Sequence, residues 1–146
     1  MTYLPAIALA LLAATPVAAQ TVNDCDSIAS AANLVMPWED NSRDFAKGAI
    51  RIALLDTYEP ACCSFHLLVI SPDPEFGLAC HVISAGPGQG WLSVRYKDLT
   101  AGYDPAKGLL VPVEAATYDP ETGAAKAVKT RFGIRINQGT GSVTLE

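Results

Sequence analysis

Along most of this chain, hydrophobic and polar positions follow a period of two, the period of a β-strand and not of a helix. Phe45 to Thr57 sets Ile50, Ile52 and Leu54 against Ala49, Arg51 and Ala53, which predicts the first long strand. Phe65 to Ile70 and Leu78 to Ser84 are denser apolar or β-branched runs. Between them Ser71-Pro72-Asp73-Pro74-Glu75-Phe76-Gly77 is a loop, because two prolines and a glycine cannot continue a central strand. If Ser71 lies opposite Leu78, then Phe65, Leu67, Val69, Cys80 and Val82 share one face of a hairpin. His66, Leu68, Ile70, His81 and Ile83 share the other. Both faces are mostly apolar, as in a central strand pair, and the register brings His66 and His81 within diagonal reach on one face.

The C-terminal third carries its own punctuation. Tyr103-Asp104-Pro105-Ala106-Lys107-Gly108 and Tyr118-Asp119-Pro120-Glu121-Thr122-Gly123 repeat one pattern, and Asn137-Gln138-Gly139-Thr140-Gly141 is a looser third copy. Asp accepts local backbone hydrogen bonds, Pro presets φ, and Gly supplies the positive φ that closes a turn. Pairing Asp119 with Ala124 sets Leu109, Val111, Val113 and Ala115 opposite Ile134, Phe132, Thr130 and Val128, with Glu114 across from Lys129. Pairing Asn137 with Ser142 sets Ile136 opposite Val143 and Ile134 opposite Leu145. One face then stays apolar across three strands, the pattern of a β-meander. Ala85 to Gly90 is a glycine-rich link and Trp91 to Tyr96 resumes strand patterning. Gly86, Gly88 and Gly90 do not make a phosphate loop, since no helix start and no Lys-Ser or Lys-Thr follows.

Before the first long strand the pattern changes. Asn23 to Val35 offers Asn23 or Asp24 as an N-cap and an apolar spacing of Ile28, Ala31, Ala32 and Val35, which predicts a short helix ended by Met36-Pro37. Leu4 to Ala14 is uncharged and apolar, and Val17-Ala18-Ala19 precedes Gln20, the small-residue pattern of a signal peptidase site. The chain therefore divides into a signal peptide over 1–19, an N-terminal helix and loop over 20–44, and a single β domain over 45–146. The expected fold is all-β, an antiparallel β-sandwich or partly open barrel of about six to eight strands with a C-terminal β-meander and a short N-terminal helix.

Composition narrows the setting. The 146 residues are half hydrophobic, enough for one real core, and the formal charge of −5 argues against nucleic acid or an anionic membrane surface as partner. After removal of the signal peptide no membrane span is expected, so the protein is placed in the periplasm or the secreted space. All four cysteines, Cys25, Cys62, Cys63 and Cys80, lie in the exported part, and in an oxidising compartment an even number reads as disulfides. Because a bridge between neighbours distorts the peptide between them, Cys62 and Cys63 are each expected to pair elsewhere, one with Cys25 and one with Cys80. The hairpin register sets Cys63 several residues from the level of Cys80, so either the loop from Thr57 to Cys63 folds back over the sheet or the second bridge is absent.

The candidate chemistry is sparse. Cys62-Cys63-x-x-His66 with Cys80-His81 gathers soft thiolates and imidazoles, so a zinc or copper site on His66, His81 and Cys80 is the alternative reading. It lacks paired Cys-x-x-Cys elements, and export favours disulfides, so neither metal nor other cofactor is assigned. No Ser-His-Asp order or Gly-x-Ser-x-Gly elbow is present, and the protein is not read as an enzyme. Trp38, Trp91, Tyr103 and Tyr118 are candidates for lining a small-molecule pocket or for packing the core. Asp24, Asp26, Glu39, Asp40 and Asp44 form an acidic patch without calcium-loop spacing, and Lys129, Arg131 and Arg135 read as the wet side of a hairpin. The function these features favour is a non-catalytic exported domain that binds a protein partner or small ligand through a sheet face or its loops.

Overall fold

The computed structural model describes residues 19–119 and 127–146. The expected signal peptide, up to residue 18, and the tip of the Tyr118 to Gly123 turn lie outside the described residues. The chain folds as two antiparallel five-stranded sheets packed face to face, an all-β sandwich and not a closed barrel. The first sheet contains β1 (Thr21–Asp24), β2 (Ser42–Phe45), β3 (Ile50–Asp56), β4 (Phe65–Asp73) and β5 (Gly77–Ser84), in the order β1-β5-β4-β3-β2. The second contains β6 (Ser93–Arg95), β7 (Gly102–Asp104), β8 (Gly108–Tyr118), β9 (Ala127–Asn137) and β10 (Ser142–Leu145). Its order is β10-β9-β8-β6, with β7 also pairing to β8. The described strands thus exceed the six to eight expected, because β1 and β2, of four residues each and too short for alternation to declare itself, fall in or at the end of the segment read as helix and loop.

The core lies between the sheets. Ile50, Ile52, Leu67, Val69 and Ile83 of the first sheet meet Val111, Val113, Phe132, Ile134 and Ile136 of the second, and Trp91 stacks on Phe132 with ring centroids 5.5 Å apart. Tyr96 is buried at the margin, where its hydroxyl has the carbonyls of Asn41 and Ile52 within 3.0 and 3.2 Å. Burial pushes its pKa upward.

The hairpin of β4 and β5 is offset by one residue from the expected register. Ser71 lies opposite Ala79, and Leu67, Leu68, Val69 and Ile70 lie opposite Ile83, Val82, His81 and Cys80. A shift of one moves every side chain of one strand to the other face. The odd-numbered positions Leu67, Val69, His81 and Ile83 turn toward the second sheet, while His66, Leu68, Ile70, Cys80 and Val82 turn outward. The β8–β9 pairing differs by two residues, setting Leu109 opposite Ile136, Val113 opposite Phe132 and Glu114 opposite Arg131. An even shift preserves the faces, so the apolar stripe survives. The β9–β10 register is the expected one, with Ile136 opposite Val143 and Ile134 opposite Leu145. Its turn, and that of β7–β8, close as their residues predict. Asp104 accepts from the Ala106 and Lys107 amides, Asn137 accepts from Gly139, and Gly108 and Gly141 carry φ values of 88° and 75°.

The N-terminal segment is less helical than its spacing suggests. Thr21–Asp24 pairs with β5, single 3-10 turns occupy Ser27–Ala29 and Ala31–Asn33, and the α-helix α1 spans only Trp38–Asn41. The reason is local: the carboxylate of Asp26 and the hydroxyl of Ser30 each accept from the amide two residues on, at 2.9 and 3.3 Å, restarting the chain twice within one turn of a helix. The segment lies across the outward face of the first sheet, where Cys25, Ile28, Ala29 and Leu34 pack on Leu55, Leu68 and Val82 in a second apolar cluster.

Candidate functional site

The four cysteines form two bridges, Cys25–Cys80 and Cys62–Cys63. This corrects the expected connectivity. Pairing of Asp24 with His81 at the end of β1–β5 brings Cys25 beside Cys80, and the Cys25 amide donates to the Cys80 carbonyl at 3.1 Å, with Cα atoms 5.4 Å apart. Cys80 lies at the level of Ile70, so the vicinal pair, which precedes β4, is far from it. Cys62 and Cys63 then have only each other, and Cys63 adopts a positive φ of 71°.

The one-residue register offset also separates the histidines. His66 points outward, is buried, and shares a 2.8 Å hydrogen bond between its Nδ1 and the Ser84 hydroxyl. His81 points to the other face, with its Nε2 3.9 Å from the exposed carboxylate of Asp24. Cys80 shares a face with His66, but its sulfur is held in a bridge. The set His66, His81 and Cys80 therefore does not converge, and no group of three or more potential metal ligands occurs among the described residues.

The four candidate aromatics are likewise dispersed. Trp91 is in the core, Tyr103 is exposed on β7 and Tyr118 ends β8. Trp38 lines a concavity. The acidic residues scatter too: Asp26 caps a turn, Asp44 pairs with Arg51 at 2.8 Å, and Asp24 lies opposite His81.

The concavity beside Trp38 is a groove of about 550 Å³ on the outward face of the first sheet. Its floor follows from register. Leu68, Ala53 and Ser42 form one row across β4, β3 and β2, and Ile70, Arg51 and Asp44 form the next. The small side chains of Ala53 and Ser42 leave a depression between larger neighbours. The wall is the turn from Leu34 to Asn41. Leu34 bridges to Leu55, and the Val35 amide donates to the Leu54 carbonyl at 3.1 Å, so this stretch takes over from β2 as the neighbour of β3. The chain must then step outward to reach β2, and α1 makes that step. Asn41 Nδ2 donates to the Pro37 carbonyl at 3.1 Å and the Ser42 hydroxyl to the Trp38 carbonyl at 2.8 Å, fixing the helix from its C-terminal end.

What the groove offers is apolar surface held in the open. Met36 is 67% exposed and Trp38 55%, above a floor in which Ala53 and Leu68 are nearly covered. The Arg51–Asp44 pair closes one end as a neutral unit, and the hydrogen bond from Arg51 holds the Asp44 carboxyl below its ordinary pKa. Glu39 lies in the groove wall and Asp40 beside it, neither with an ion-pair partner among the described residues. The arrangement presents an apolar seat and an acidic lip. Sequence reasoning missed Leu34, Met36, Ala53, Leu68, Ile70 and Arg51 as site residues. Met36-Pro37-Trp38, an apolar triplet within a polar stretch, was the available signal. Comparisons find no protein family, no curated protein and no solved structure that matches this chain.

Proposed function

We propose that this is an exported, non-catalytic binding domain whose groove seats an apolar side chain of a partner protein, next to a lysine or arginine of that partner. The observation that carries the reading is Trp38, a large aromatic side chain held half-exposed over an apolar floor by a helix that two side-chain hydrogen bonds fix from its C-terminal end. Large exposed apolar surface of this kind, rimmed by polar groups, marks interaction sites. Glu39 and Asp40 supply charge complementary to a cation. Two disulfides suit an oxidising compartment, and the apolar run Leu4 to Ala14 followed by Val17-Ala18-Ala19 supports export.

Selection of displayed peptides against the purified protein tests this. Enrichment of sequences with an apolar anchor beside Lys or Arg is expected, and Trp38→Ala should weaken their binding by about 2 kcal/mol, roughly thirtyfold, as loss of a central aromatic contact does. Glu39→Lys should lower the preference for the basic neighbour. Selected peptides that bind wild type and Trp38→Ala equally would place the partner elsewhere and overturn the reading.

A further inference from the structure

The outward face of the second sheet carries a different surface. A cleft of about 810 Å³ opens there over β6, β8 and β9. Register again builds it in rows: Ser93, Ala116 and Lys129 form one, and Arg95, Glu114 and Arg131 the next. The small side chains of Ser93 and Ala116 make the floor, and the long cationic side chains rise around it.

Three cations face one carboxylate. Arg95 and Arg131 both pair with Glu114, while Lys129 has no ion pair among the described residues. The Arg131 side chain is 81% exposed and that of Arg95 54%, so each guanidinium keeps donors turned to solvent after serving Glu114. Lys129 and Arg131 are two apart on one strand face, about 7 Å along β9. In a chain whose net charge is −5, this local excess of positive charge runs against the whole.

We propose that this cleft binds a small multivalent oxyanion, one molecule carrying two or more carboxylate or phosphate groups. One acidic group engages Arg131 and Arg95, whose planar forks match oxyanion geometry, and a second reaches Lys129. Glu114 holds the two guanidiniums in a row and competes with the ligand for them. The site is independent of the Trp38 groove, which opens on the other face of the sandwich.

Calorimetric titration of the purified protein at low ionic strength with citrate and with pyrophosphate tests the proposal and separates the two acid types. At least one probe should bind with Kd below about 1 mM, and added salt should weaken it, since exposed charges are screened. Lys129→Gln and Arg131→Gln should each weaken binding about fivefold or more, whereas Glu114→Gln should tighten it. Trp38→Ala should leave it unchanged. The two cationic side chains are exposed, so their loss should leave the circular dichroism spectrum intact. Failure of both probes to bind below about 1 mM, or binding that survives Lys129→Gln and Arg131→Gln undiminished, would overturn it.

Discussion

His66 is a buried residue whose surroundings oppose its charge. Burial lowers its pKa, an effect larger than the opposing attraction of Asp26, Asp56 and Glu59, so the folded protein favours the neutral ring. The sign follows from linkage. Above the ordinary histidine value of about 6.5 the ring is neutral in both states and adds no pH dependence. Below it the unfolded chain takes up a proton that the folded chain resists, so stability falls as pH drops from about 6.5 toward the lowered folded value. Denaturant midpoints measured between pH 7 and pH 5 should decline, and His66→Gln, which keeps a partner for Ser84, should flatten that decline. An equal slope in the variant would show that His66 protonates freely in the fold. Gly90 explains part of the enclosure: a Cβ there would meet the Phe65 carbonyl at 2.7 Å and the His66 Nε2 at 2.9 Å, so only glycine lets the 85–90 link pass this close.

At the scale of elements, the N-terminal segment is a strap fastened at two points. Pairing with β5 and the Cys25–Cys80 bridge hold its start, and the Leu34–Leu55 bridge holds its end. Cys25 and Cys80 are 55 residues apart, so in the chain-entropy account their bridge contributes about 4 kcal/mol, whereas a bridge between neighbours closes almost no loop and contributes about 1 kcal/mol. Chemical denaturation should therefore show a large loss for the Cys25→Ser, Cys80→Ser pair and a small one for Cys62→Ser, Cys63→Ser. Equal losses would mean that the vicinal bridge orders more than its own loop. The strap also shows what the sequence could and could not reveal. Turns written in Asp, Asn and Gly were legible because the residue type itself makes the hydrogen bond, and the β9–β10 register followed from its turn. The β4–β5 register was not legible. Both faces of that hairpin are apolar, so pattern alone cannot choose between registers one residue apart, and this choice decided where His66, His81 and Ile70 point. The groove depends on that choice and on α1, a four-residue step with no periodicity to announce it.

For the molecule as a whole, the two outward faces differ in kind: an apolar groove with an acidic lip on the first sheet, a cationic cleft on the second. That the fold would be an all-β sandwich was legible because half the residues are hydrophobic and most alternate with period two, leaving packed sheets as the way to bury them. Among the described residues no helix is long and apolar enough to cross a membrane. Among the described residues the first strand begins at Thr21, just after the expected cleavage point, so cleavage following Ala19 would leave every described strand intact. Intact mass measurement of protein recovered from the exporting cell should thus give a chain starting at Gln20. Its mass should be four hydrogens below that of the reduced form, two for each bridge. Peptide mapping without reduction should then link Cys25 to Cys80 across two peptides and leave Cys62 and Cys63 joined within one. A cross-link from either vicinal cysteine to Cys25 or Cys80 would contradict the hairpin register itself, because only a β5 displaced along β4 brings Cys80 within bonding reach of the β3–β4 loop.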